Sequence, residues 1–305
     1  MKQFLFVVAQ DLRRTMISWT FLFAVLGLEF VNIVTLFDEY QYTSSSTSIL
    51  YLQMLMEYRD FYIVFLLFAA LPGTTLFCSD WDNRSDDHVV LIVTLGAMLL
   101  FCDAPFIDLE QPYIVLRSGR KTWVWGQILY LAVASFLYTI FTFLMTLLLL
   151  LPKLELQFDW GKVIGTLVQT TTGSEFGISI PFDRYVYFGY SPMGATGISL
   201  LLCFSVVLFL GVLMFYLNLR VNRMVGTIAS GLLILWQLVI RKTATVFVRL
   251  SPVSWMKLGQ IDLDGSTLYP PLSYVMIGLY AMILIFCILS VLRIRKTNID
   301  VLKSV

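Results

Sequence analysis

The densest set of ligand-type side chains in this sequence is the nonapeptide Asp80-Trp81-Asp82-Asn83-Arg84-Ser85-Asp86-Asp87-His88. Carboxylate and amide oxygens packed this closely can hold a hard divalent cation, and such a cation can assist group transfer. That chemistry needs a second acidic motif facing the same cavity, and the sequence supplies none. A solvated acidic loop is the favoured reading, with an intramembrane metal-dependent transferase as the alternative. His88 is the only histidine, which excludes a histidine-rich metal centre. Cys78, Cys102, Cys203 and Cys287 lie in or at the ends of apolar runs, with no pair at metal or redox spacing. They read as buried free thiols.

A second chemistry is excluded by a missing residue. A phosphate-binding loop needs a glycine-rich turn closing on Lys-Ser or Lys-Thr. Lys121-Thr122 follows Gly119-Arg120 but lacks the first glycine of that motif. The chain is therefore expected to hydrolyse no ATP itself, and no catalytic residue, metal or cofactor is assigned to it. Glu29 remains. It lies within the apolar run Met16–Phe37, and a carboxyl group at that depth is costly unless it faces protein or water. It is a candidate for a translocation path or a subunit interface.

The elements that must position these residues follow from composition. The chain has 305 residues, is 58% hydrophobic and 13% charged, and has a mean hydropathy of +0.82. That is too little charge to cover the surface of a soluble domain of this length. A net charge of +1 also argues against a nucleic-acid partner, which would call for a basic face.

A bilayer core about 30 Å thick takes about 20 apolar residues of helix. Runs of this kind cover 16–37, 126–151, 192–217 and 272–292, with shorter ones at 89–102 and 225–240. Phe4, Val7, Val8 and Leu12 recur at helical spacing before Arg13-Arg14. Residues 1–15 therefore read as an interfacial amphipathic helix, and 16–37 as a retained first span rather than a cleaved signal. The expected fold is an all-α polytopic membrane protein of about six transmembrane helices, with an N-terminal interfacial helix and re-entrant segments.

Six spans place Arg13-Arg14, Arg117–Lys121, Arg220–Arg223 and Arg293–Lys296 on one side, with 12 basic residues there and 9 on the other. By the positive-inside rule that side is cytoplasmic, and so are both termini. The chain is accordingly expected in the cell membrane as a multi-pass protein in contact with lipid. The run 61–78, broken at Pro72-Gly73, reads as re-entrant from the outside or as an alternative second span. Arg241-Lys242 followed by Ala244–Leu250 reads as a broken, half-inserted hairpin, and 152–191 as an extracellular segment.

Three features carry a resemblance. One is Phe101-Cys102-Asp103-Ala104-Pro105-Phe106 with Gln111-Pro112-Tyr113 and Arg117-Ser118-Gly119-Arg120-Lys121-Thr122-Trp123. Another is Ser251-Pro252-Val253-Ser254-Trp255, then Ile261-Asp262 and Pro270-Pro271 before the last span. The third is the order of parts along the chain. Together they resemble the permease subunits of bacterial ABC exporters of the second type. The resemblance implies an exporter of an amphiphile, such as a peptide or lipid-like compound. It implies a second permease copy or a related permease, and a separate cytoplasmic ABC ATPase that binds the ATP and Mg. It implies that 103–123 is a coupling segment docking on that ATPase. Asp108 and Glu110 early in the segment and Arg117, Arg120 and Lys121 late in it suit a helix dipole, and Trp123 is expected as a headgroup-level anchor. A non-transporting membrane sensor or assembly protein is the remaining alternative.

Overall fold

The computed structural model describes residues 85–105, 111–150, 184–243, 245–262, 265 and 268–294. The interfacial helix 1–15, the span 16–37 with Glu29, the run 61–78, most of 152–191, and Asp108 and Glu110 lie outside them. Among the described residues every regular element is helical: α1 Ser85–Phe101, α2 Gln111–Ser118, α3 Arg120–Leu150, α4 Arg184–Gly189, α5 Pro192–Arg220, α6 Arg223–Thr243 and α7 Leu272–Arg293. Three of them, Arg120–Leu144 within α3, α5 and α7, are long and apolar enough to cross a membrane.

Helix α5 is the central pole, packed against α1, α3, α6 and α7. Ser191 caps its start by accepting a hydrogen bond from the Gly194 amide at 3.2 Å, and Pro192 follows at the first helical position, where a missing N–H costs nothing. Phe136 meets Phe204 edge-on at 6.2 Å, and Thr139 lies against Cys203, so α3 runs antiparallel to α5. Ser205 meets Tyr280 and, farther along both helices, Tyr216 meets Phe286 at 5.5 Å, so α7 runs parallel to it.

The helices are arranged as hydrocarbon would dictate. On α6, Gly226, Ser230 and Gln237 face inward while Met224, Ile228, Leu232, Leu235, Trp236 and Val239 face out. On α7, Ile277, Leu284, Ile285, Ile288 and Leu292 are likewise exposed. Such faces are stable where the surroundings are apolar, and small or polar residues then mediate the helix contacts. The buried hydroxyls behave accordingly. Thr94, Thr139, Thr142, Thr196, Ser205 and Ser290 each donate to the carbonyl one turn back, at 2.7–3.0 Å. Hydroxyl contacts also tie helices together. The Tyr138 hydroxyl donates to the Val93 carbonyl at 3.0 Å, and the Ser205 and Tyr280 hydroxyls pair at 3.3 Å.

Sequence and structure differ at several boundaries. The helix expected from Gly126 begins at Arg120, α5 continues to Arg220, and α1 begins at Ser85, inside the acidic nonapeptide. After α6, three short 3-10 pieces follow, Thr245–Leu250, Ser254–Met256 and Leu258–Gln260, and everything from Ser251 to Leu258 is buried.

Candidate docking surface at the basic end

The antiparallel and parallel packing just described brings three basic clusters to one end of the bundle. Arg117 stands at the end of α2, Arg120 and Lys121 at the start of α3, Arg220 at the end of α5 and Arg293 at the end of α7, all exposed. The fourth cluster, Arg13-Arg14, lies outside the described residues.

The expected coupling segment 103–123 is built here as two helices rather than one. Helix α2 ends at Ser118, and Gly119 follows at φ +85°, with its amide on the Val115 carbonyl at 2.9 Å. This is a left-handed helix stop that glycine adopts without Cβ strain. The chain re-enters helix at once, with the Trp123 amide donating to the Gly119 carbonyl at 3.1 Å. Val115 packs inward, whereas Leu116, at 83% exposure, is the most exposed large apolar residue described. Arg117, Arg120 and Lys121 follow it in the sequence and are exposed with it. An exposed apolar knob followed by exposed cations fits an apolar cleft with an acidic rim. Burying a leucine in such a cleft contributes about 1.5–3 kcal/mol.

Trp123 does not sit at the surface. It is fully buried within the bundle, and Trp125, two residues on, is the half-exposed tryptophan. The expected headgroup anchor is therefore a core residue, and its neighbour occupies the outward face. Of the expected coupling residues, the structure gathers Arg117, Arg120 and Lys121 at one surface and places Trp123 beneath it.

Sequence reasoning missed Asn218. This residue is fully buried near the end of α5. Its amide nitrogen donates to the Cys102 carbonyl at 3.3 Å and, more closely, to that of Ala104. Its amide oxygen accepts from the Gly226 N–H at 3.0 Å. Asn218 directly follows the apolar run 192–217 and precedes Arg220, so in the sequence it reads as an ordinary span end.

The opposite end differs. Ser251 and Ser254 pair through their hydroxyls at 2.9 Å, and the Trp255 indole N–H donates to the Val248 carbonyl at 2.9 Å. The indole lies over Gly278 of α7 and meets Tyr274 edge-on at 5.7 Å. The motif Ser251–Trp255 is thus a buried plug between α5, α6 and α7.

Among the described residues no three His, Cys, Asp or Glu side chains stand together as a metal site. Cys203 and Cys287 are free, buried thiols, and Cys102 is free and partly exposed. No family model, no curated protein and no solved structure matches the chain.

Proposed function

We propose that this chain is the transmembrane permease subunit of an ATP-driven exporter. It is read as crossing the cell membrane six times with both termini in the cytoplasm, and as working with a second permease and a separate cytoplasmic ATPase. The observation that supports this reading is the Leu116 knob, exposed on a short helix and followed by Arg117, Arg120 and Lys121, at the end of the bundle where the basic clusters converge. Positive charge concentrates on the cytoplasmic side of membrane proteins, so this end is read as cytoplasmic and its partner as a soluble protein. ATP binding by that partner would move α2, and the spans would pass between inward- and outward-open shapes. The cargo is read as an amphiphile, a peptide or lipid-like compound.

The test is co-purification of the full-length chain from its native membrane. A polypeptide with a phosphate-binding loop and ATPase activity should accompany it. Replacing Arg117 and Arg120 together by Glu should weaken that association by at least about tenfold, because like charges then face the partner's acidic rim. Membrane insertion should be unchanged. Retention of the ATPase by the double variant would remove the docking assignment.

A further inference from the structure

Two helix ends meet at Asn218, and each leaves backbone groups without an intrahelical partner. Where α1 ends, the Ala104 amide takes the Phe101 carbonyl at 3.0 Å, which leaves the carbonyls of Cys102 and Ala104 for Asn218. Where α6 begins, the Asn222 side chain accepts from the Val225 amide at 3.2 Å, which leaves the Gly226 amide for Asn218 as well. One buried side-chain amide, reaching from the last turn of α5, thus caps the end of one helix and the start of another. The site admits nothing larger than glycine at 226, since a Cβ there would collide with the Asn218 oxygen and approach the Met214 carbonyl to 2.7 Å. The turn that Asn218 holds, 102–105, is the one from which the chain proceeds to α2 and its exposed knob.

We infer that Asn218 is a positioning residue that fastens the docking segment to the α5–α6 hairpin, so that a displacement of α2 moves the end of α1 and the hairpin as one body. Its role in transport rests on the function proposed above, but the mechanical claim does not. Asn218→Asp separates the two halves of the joint. The carboxylate keeps the size and can still accept from Gly226, but it has no donor for Cys102 and Ala104 and sets a charge against two carbonyl oxygens.

The measurement is the distance distribution between spin labels at Arg117→Cys and Val221→Cys, both exposed positions, in the full chain in lipid on a cysteine-free background. A second pair at Phe136→Cys and Ile277→Cys reports on the bundle itself. The expected result of Asn218→Asp is a broadened 117–221 distribution with the 136–277 distribution unchanged. An unchanged 117–221 distribution overturns the inference. If both distributions broaden, hydrogen exchange of the unaltered protein decides. Opening of the 111–118 amides together with that of Gly226 supports the joint. Fast exchange of 111–118 while Gly226 stays protected overturns it. With an ATPase partner present, Asn218→Asp should retain co-purification and lose transport per ATP hydrolysed, whereas the Arg117/Arg120 reversal loses co-purification. Failure of the docking assignment and failure of the joint thus give different results.

Discussion

The two ends of the bundle solve the same problem in opposite ways. Each must close irregular chain between helices, and irregular backbone has polar groups that hydrocarbon cannot satisfy. At the Trp255 end the chain satisfies itself. From Ser251 to Ile261 several amides bond the carbonyl three residues back, as in Ser254 to Ser251 at 3.1 Å, Met256 to Val253 at 3.2 Å and Ile261 to Leu258 at 3.1 Å. That segment is buried almost throughout, with apolar side chains and Trp255 filling the space between helices. At the basic end a side chain, Asn218, satisfies the turn, and Leu116 and its cations are left outside. A self-sufficient buried plug suits a rigid end. A turn held by one amide, beside an exposed knob, suits an end that receives a partner.

The largest effect expected from this contrast is at the plug. Trp255→Ala deletes a buried indole and its bond to the Val248 carbonyl, so it should cost about 3–5 kcal/mol, the range for large aromatic truncations. Thermal unfolding of the detergent-solubilised protein reads the loss, and ATPase co-purification of the surviving fraction should be unaffected. A loss below about 1 kcal/mol would mean that the plug is not held by Trp255 and that the two ends are built alike.

Much of this contrast was hidden from the sequence for identifiable reasons. The helices were legible because apolar length and punctuation fix them: Ser191-Pro192 and Pro271 mark starts that the structure keeps. The convergence of basic clusters was legible too, since an even number of helix reversals returns each to one end. Trp123 and Trp125 were not distinguishable, because two tryptophans two residues apart on a helix face different ways, and which is inward depends on neighbours far along the chain. Asn218 was hidden for the same reason, with two of its partners more than 110 residues away. The burial of the plug was not legible, because Pro252 and Lys257 break its apolar pattern. The 3-10 bonding that lets it be buried leaves no periodic trace.

Gly119 sharpens the comparison from the docking side. Nothing lies within 4 Å of where its Cβ would be, so Gly119→Ala meets no clash, and its cost comes from the left-handed backbone alone. That cost is about 1–2 kcal/mol, less than at the plug. Its consequence is local: α2 should tilt relative to α3 and carry Leu116 with it. Binding of the proposed ATPase partner should therefore weaken while the unfolding midpoint of the bundle moves little. Equal losses in both would show that α2 is packed into the bundle as firmly as the plug is.

The smallest effect belongs between the ends, where neither device operates. Tyr280→Phe removes the hydroxyl that pairs with Ser205 across α5 and α7. Ser205 keeps its 2.7 Å bond to the Leu201 carbonyl, so the deletion leaves no unpaired buried donor. The cost should be near the average for interhelical hydrogen bonds in membranes, about 0.6 kcal/mol, and Ser205→Ala in the same background should add little, because the pair is already broken. A double-mutant cycle on the unfolding midpoint measures this. A coupling well above that value would mean that the middle of the bundle is held by polar contacts as the basic end is, and that Asn218 is one instance of a general arrangement rather than a joint particular to the docking end.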